Sequence, residues 1–401
     1  HPPARVRSAS AVHVLMSPRR YFRALRKLSS RVRERTGKNL FVQFLEILRS
    51  RRLNPTLGTF DYYMFRLHDL GPQELSRTKE FLGWRVEEQL AEALNVRVAT
   101  LPGWDKFTFH LYASYFGLPA PRQYAVFRPG DAGLGATSAQ GTLLTSGAQL
   151  AQWLRETQTW PIFAKPSYSQ QSKGCYLFEG LSPDRQALLL HGGLALPIDE
   201  FVKDIVLAPD GPFFRRDMGY LFQAVLTSHP RVAELLGNPA TSTIRVVVVQ
   251  DEAGPESIVA VWKMIRGSNI SDTRVDDPIG HLHAPIDIAT GIVGAAIDGY
   301  ELDPYDVHPD TGVAIRGFRM PYWQDAMTTC RRAASAFPMM HIQHWDLAIT
   351  AEGPCLLEVN DVGAFEFLQK FGSGLVTPRL KQVLLRYGNR KRYPWIGKLC
   401  D

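Results

Sequence analysis

Near the C-terminal end of this 401-residue sequence, Asp346, Glu358 and Asn360 stand in two apolar runs, His344-Trp345-Asp346-Leu347-Ala348-Ile349-Thr350 and Cys355-Leu356-Leu357-Glu358-Val359-Asn360. Paired as a hairpin across Glu352-Gly353-Pro354, the runs put Glu358 and Asn360 on one face, because they are two residues apart. Asp346 then comes opposite them. Three converging side-chain oxygens suit Mg²⁺, which takes a few protein oxygens and completes its shell with substrate phosphates, so the cluster is suited to Mg-ATP. Alone, a D…E-x-N pattern is more often an exposed polar strand face. The residues upstream change that judgement.

Ile162-Phe163-Ala164-Lys165-Pro166 reads as a strand ending near a lysine, followed by a small polar loop from Ser167 to Lys173, then Gly174 and a second strand. An ammonium at a strand end supplies a point charge while loop amides close over a nucleotide phosphate. A solvated hairpin carrying a chance lysine has the same appearance, and no Walker-type or dinucleotide glycine pattern is present. Two more cations lie inside strand-like runs, Arg245 in Thr243-Ile244-Arg245-Val246-Val247 and Lys263 in Val259-Ala260-Val261-Trp262-Lys263. A charge in such company needs a partner, a ligand, or the solvent face of a half-buried strand.

The elements that must position these residues differ along the chain. Ser17-Pro18 opens a helix that runs to Gly37, a second covers Leu40 to Arg52, and Asp61 to His68 and Pro72 to Val96 read as further helix. From Leu101 the texture changes. After a helix from Trp104 to Phe116, short β-branched runs follow at Pro161–Lys165, Gly174–Phe178, Tyr220–Leu226, Ile244–Gln250, Ile258–Ile265, Leu347–Thr350 and Cys355–Val359. Several are separated only by a Gly- or Pro-bearing turn, which points to an α+β fold of antiparallel sheets with helices packed on one side. The length implies two or three domains.

Composition is that of an ordinary globular protein, with 45% hydrophobic and 21% charged residues, which excludes disordered and fibrous readings. The first 53 residues carry 14 Arg or Lys against 2 acidic residues, a local +12 against a chain total of +7, leaving −5 for the other 348. Such a segment can meet nucleic acid, an anionic membrane or an acidic partner, or can form a solvated helix face. No run of about 18 apolar residues occurs, so no membrane span is expected. Cys175, Cys330, Cys355 and Cys400 are too scattered for a disulfide framework or a metal site and read as reduced cytosolic thiols. The chain opens on His1 rather than Met, as a processed, truncated or tagged chain would, so a targeting segment would not be seen.

The order of features resembles the ATP-grasp superfamily, and within it the sugar-transfer-associated group, from about Phe60 to about Leu384. The resemblance rests on Asp105-Lys106-Phe107 before a helix ending Gly117-Leu118-Pro119-Ala120-Pro121, on Phe163-Ala164-Lys165-Pro166 and on Tyr220-Leu221-Phe222-Gln223-Ala224-Val225-Leu226. It also rests on Thr243-Ile244-Arg245, Ala284-Pro285-Ile286-Asp287 with Thr290-Gly291, and the Asp346…Glu358-Val359-Asn360 hairpin. It implies two α+β subdomains clamping ATP, over residues 101–230 and 231–401, after a helical, basic region over 1–100. It further implies that Lys106, Lys165 and the loop from Ser167 contact the nucleotide, that Gln223, Ala224, Val225 and Leu226 form the adenine hinge, and that Asp346, Glu358 and Asn360 bind Mg²⁺. Arg245 and Lys263 match the cations that hold the γ-phosphate and an acyl-phosphate in related carboxylate–amine ligases. Two features depart from the pattern. Gln223 stands where hinge strands often carry Glu, and the flap from Ser167 to Gly174 has one glycine.

The expected reaction is ATP-dependent joining of a small-molecule carboxylate to an amine or another nucleophile through an acyl-phosphate, in the cytoplasm, as a biosynthetic step. The polar segment from Arg266 to Asp287, with Arg266, Asn269, Asp272, Arg274, His281 and His283, either lines the acceptor side or is a plain surface loop. A zinc site at His281 and His283 lacks further ligands at suitable spacing. Two other readings share the Mg-ATP residues: a kinase for a small-molecule hydroxyl, and a nucleotide-sensing binding protein docked through its basic helices. Aromatic residues are not interleaved with basic ones as in single-strand binders, Tyr21 and Phe22 aside, so no specific nucleic acid is expected. Contact with a membrane surface stays open.

Overall fold

The computed structural model describes residues 18–130, 141–169, 172–208, 215–267, 269, 281–298 and 303–401. Its N-terminal part is helical. Pro18–Thr36 ends where Gly37 takes φ +73°, and Leu40–Leu53 follows, with the Asn39 side chain capping the amide of Val42. Shorter turns lead through Thr59–Met64 and Glu87–Leu94 to the Lys106–Tyr115 helix.

Two seven-stranded sheets follow in chain order. The first contains β1 (Gln123–Phe127), β2 (Thr142–Leu144), β3 (Ile162–Pro166), β4 (Tyr176–Leu181), β5 (Ala187–Leu190), β6 (Ala195–Pro197) and β7 (Tyr220–Ala224), in the spatial order β2-β1-β7-β3-β4-β5-β6. The second contains β8 (Thr243–Asp251), β9 (Gly254–Met264), β10 (Leu282–Ile286), β11 (Ala296–Asp298), β12 (Pro304–Tyr305), β13 (Ile342–Thr350) and β14 (Gly353–Asn360), in the order β12-β11-β10-β9-β8-β13-β14. The strand-like runs read from sequence all fall on strands, and Gly353 turns β13 into β14 as expected. Among the described residues every pairing is antiparallel except β1 with β2.

The layering departs from the expectation of helices on one side. In the second sheet, Ile244, Val246 and Val248 of β8 pack with Trp345, Leu347 and the Trp323–Ser335 helix. Val247 and Val249 pack on the opposite face with the N-terminal helices and the C-terminal Pro378–Tyr387 helix. A strand buried on both faces carries apolar residues at consecutive positions rather than alternate ones, which is the meaning of Val246-Val247-Val248-Val249. In the first sheet Tyr220 and Phe222 of β7 face one core while Leu221 faces another, so Gln223 falls on the Leu221 side.

Candidate active site

Lys106 and Lys165 are set by two elements that bind each other. Asp105 caps the Lys106–Tyr115 helix, its carboxylate accepting from the amide of Phe107 at 3.1 Å and from Thr108 Oγ1 at 2.7 Å. It also accepts from the Ser167 hydroxyl and from Arg128 Nη1 at 3.2 Å. The amide of Lys106 donates to the Ser167 carbonyl at 2.9 Å, so the helix start is fastened to the end of β3. Lys106 Nζ then donates to the Ser169 carbonyl at 3.0 Å and lies 3.4 Å from Glu358 Oε2. Lys165, two residues from Phe163, shares its face and is buried. Desolvation pulls its ammonium down to about 8, the Lys106 charge adding to this and Glu358 opposing it. Gly174 ends the loop after β3 at φ +75°, where a β-carbon would lie 2.9 Å from Pro166 Cγ.

The end of β7 is tied to the same helix. The Gln223 amide nitrogen meets His110 Nε2 at 2.6 Å. Burial, with the charges of Lys165 and Lys106, holds this imidazole neutral, so Nε2 accepts and Gln223 donates. The Ala224 amide donates to the Arg122 carbonyl at 2.9 Å, and the Leu226 carbonyl accepts from Thr241 Oγ1 at 2.6 Å.

On the second sheet, Arg245, Asp346 and Glu358 stand abreast on β8, β13 and β14, because the register pairs Arg245 with Asp346 and Asp346 with Glu358. Arg245 holds Asp346 bidentately, Nε to Oδ1 at 2.6 Å and Nη2 to Oδ2 at 2.9 Å, and Lys263 Nζ lies 3.4 Å from Oδ1. Burial alone would push the Asp346 carboxyl up, but the Arg245 and Lys263 charges, with hydrogen bonding to Arg245 and Glu358, outweigh it and hold it well below the usual carboxylate range. Asn360 Nδ2 donates to Glu358 Oε1 at 3.3 Å.

These groups meet in one cavity of about 930 Å³ between the two sheets. Lys106, Lys165, Gln223, Ala224, Val225 and Leu226 line it from one side. Arg245, Lys263, His283, Asp346, Glu358 and Asn360 line it from the other. Of the residues singled out from sequence, Ser167, Arg266 and His281 do not line it. Ser167 is buried in the Asp105 cap, and Arg266 is paired with Asp310, Nη2 to Oδ1 at 2.7 Å. Asn269 lines the cavity, whereas Asp272 and Arg274 lie outside the described residues. His283 is kept neutral first by burial and then by the charges of Lys370 and Lys263. Its Nδ1 accepts from Lys370 Nζ at 3.0 Å. Glu87, Glu366 and Phe367 also line the cavity and were not found from sequence. Glu87 heads a helix beside Glu88 and reads as a solvated first turn, while the charge of Glu366 within Phe365-Glu366-Phe367-Leu368 was a usable signal.

Residues 85–384 match the family described as sugar-transfer associated ATP-grasp. The chain belongs to that family. The ATP-grasp fold accounts for the two sheets with a cleft between them. Among solved structures, this ATP-grasp chain is similar to an L-amino acid ligase from Bacillus licheniformis, at 11% identity over 66% of this chain and 42% of that one, TM-score 0.34. It is likewise similar to a D-Ala:D-Ser ligase from Enterococcus faecalis, at 11% identity over 73% and 64%, TM-score 0.39. A biotin carboxylase β-γ-ATP complex from Campylobacter jejuni gives 11% identity over 77% and 54%, TM-score 0.43. The chain thus spans less than two thirds of each of these proteins. A comparison with curated protein sequences gives no match.

An ATP-grasp site calls for Mg²⁺, and the donor set can be weighed here. Among the described residues no group of three His, Cys, Asp or Glu side chains is placed to hold a metal ion, so an oxygen set of three needs Asn360. Glu358 and Asn360 face the cavity as hard oxygen donors beside Lys106, which fits Mg²⁺ carrying phosphates. Asp346, expected as the third ligand, has both oxygens on Arg245. A carboxylate flanked on its own face by two buried cations is drawn to them first.

Proposed function

We propose that this ATP-grasp protein is an ATP-dependent ligase that activates a carboxylate as an acyl-phosphate and transfers the acyl group to an amine, releasing ADP and phosphate. The observation carrying this reading is that two cation pairs, Lys106 at a helix start with Lys165 of the first sheet and Arg245 with Lys263 of the second, face one cavity with Glu358 and Asn360 between them. In this reading residues 101–230 and 231–401 are the two halves of the clamp. Gln223 to Leu226 take the adenine and Lys165 and Lys106 take the phosphates. Glu358 and Asn360 hold Mg²⁺, which supplies charge neutralisation on the phosphates.

A substrate carboxylate oxygen then attacks the γ-phosphorus in line as ADP leaves. Arg245 and Lys263, held in place by Asp346, offset the charge on the transferred phosphoryl group and on the tetrahedral species formed when the amine attacks. Phosphorus NMR of the protein with Mg-ATP and pooled acids and amines tests this. ADP and free phosphate that appear only when acid and amine are both present support it. A stable new phosphoester would instead establish a kinase.

We further infer that the reaction runs in the cytoplasm, where Mg-ATP is supplied, with the N-terminal helices resting on an anionic membrane surface. Phe41, Phe44 and Leu48 form an exposed stripe at helical spacing on Leu40–Leu53, flanked by exposed Arg49, Arg51 and Arg52. Among the described residues no helix is long and apolar enough to cross a membrane.

A further inference from the structure

The cavity carries opposite chemistry on different walls. Away from the phosphate lysines it is lined by two carboxyl side chains, Glu87 at the head of the Glu87–Leu94 helix and Glu366 on the Phe365–Gln369 helix. Glu87 is 5% exposed, and its Oε2 has no hydrogen-bond partner among the described residues; Glu366 Oε2 has none either. The cations whose charges reach them are committed elsewhere. Arg245 is held bidentately by Asp346, and Lys370 donates to His283 Nδ1 at 3.0 Å and to the Ile297 carbonyl at 3.4 Å. Burial raises both carboxyls, and the charge of Glu366 raises Glu87 further.

A buried acceptor without a donor is costly, and two that line one cavity and repel each other's charge are more so. Such an arrangement persists in a binding cavity where a ligand supplies the missing donors. The complementary group is compact, cationic and rich in N–H. A primary ammonium offers three donors to two carboxyls, whereas a hydroxyl offers one. The ring of Phe367 lines the same cavity, with the Arg245 guanidinium 5.6 Å from its centroid and the His283 ring 5.5 Å away, an aromatic surface that already accepts a cation.

We propose that Glu87 and Glu366 form the subsite for the ammonium group of the nucleophilic substrate, so that the acceptor of this protein is a primary amine. This inference rests on the Mg-ATP ligase reading of the same cavity, and it selects amine over hydroxyl acceptors.

The test uses the full chain at pH 8 and two probes, MgADP and n-butylammonium, with n-butanol as the uncharged isostere. Thermal unfolding is followed by fluorescence and binding by calorimetry. MgADP is expected to raise Tm in the wild type and in Glu87→Gln and Glu366→Gln alike, which also shows that both variants fold. With MgADP present, n-butylammonium is expected to raise Tm further and n-butanol not. Each variant is expected to weaken the amine by about tenfold, the effect of losing one charge-assisted hydrogen bond. No amine shift, an equal shift with n-butanol, or wild-type amine affinity retained in both variants would overturn the subsite while leaving the nucleotide reading standing. Absence of the MgADP shift from the wild type would remove the reading beneath it.

Discussion

Lys165 shows at the residue scale what a binding cavity costs the empty protein. Its ammonium is buried, and its folded-state value of about 8 lies below the ordinary 10.5. Below about pH 8 both folded and unfolded chains carry the proton, so the desolvation penalty is present in full at neutral pH. Between about 8 and 10.5 the unfolded chain binds more protons, and stability rises with pH. Lys165→Met is therefore expected to raise Tm at pH 7 without nucleotide, by an amount that shrinks as pH climbs past 8, and to abolish the MgADP-induced rise. Thermal melts from pH 7 to 10 check both signs, and a variant less stable at pH 7 would contradict the assignment. Asp346 is the opposite case. Asp346→Asn leaves Arg245 and Lys263 as buried, uncompensated cations and is expected to lower stability by about 3–5 kcal/mol in denaturant titration. Glu358→Gln is expected to keep the fold and metal-free ADP binding while losing the further gain that Mg²⁺ gives, as calorimetry with and without chelator would show. Equal gains in both proteins would remove Glu358 from the metal site.

Elements hold these residues where they are, and their legibility in sequence follows from how each is built. β8, β9, β13 and β14 were readable because β-branched runs bounded by turn residues leave no competing period, and the Asp346–Glu358 register followed from the short Gly353 turn. β1, β2, β5, β6, β10, β11 and β12 were missed: five of them have only two to four residues and carry too few alternations to stand out, and β10 was read into the polar loop from Arg266 to Asp287, of which Leu282–Ile286 is a strand. The covering of the second sheet on both faces was written in Val246 to Val249, yet a run of four valines does not say what covers it. Glu87 and Glu366 belong to the cavity only through tertiary packing, which no local pattern encodes. Gly363 is a similar case, because its necessity appears only against a neighbour from another strand. A β-carbon there would lie 2.2 Å from the His344 ring, which burial and the Arg245 charge keep neutral, down to about 3. Gly363→Ala is expected to push the loop after β14 outward, carrying Val362 and Ala364 of the cavity wall with it. Weaker MgADP binding with Asp346 and Glu358 intact, measured by calorimetry, would show that the loop and not the ligands had moved; unchanged binding would show that the wall yields elsewhere.

At the scale of the whole molecule, charge is sorted by position. The chain beyond residue 53 is net acidic, while the N-terminal helices present Arg23, Arg26, Arg33 and Arg35 on one helix and Arg49, Arg51 and Arg52 on the next, all exposed. The inner faces of the same helices, through Leu28, Val32 and Ile47, join the core that also covers the second sheet. A cluster of this sign with Phe41, Phe44 and Leu48 beside it combines the two forces that hold a helix on an anionic bilayer, apolar insertion and attraction of about 1 kcal/mol per basic residue near the surface. The electrostatic part is screened within about 10 Å at 0.1 M salt, whereas the apolar part is not. The full chain is therefore expected to sediment more with vesicles containing phosphatidylserine than with neutral ones, and to be released in part as salt rises. Phe41→Ser combined with Phe44→Ser is expected to leave the salt-sensitive fraction and remove the salt-resistant one, while the MgADP shift in Tm stays unchanged because these side chains lie outside the cavity. Sedimentation with neutral vesicles to the same extent, or a double variant that binds as the wild type does, would show that the stripe faces another partner.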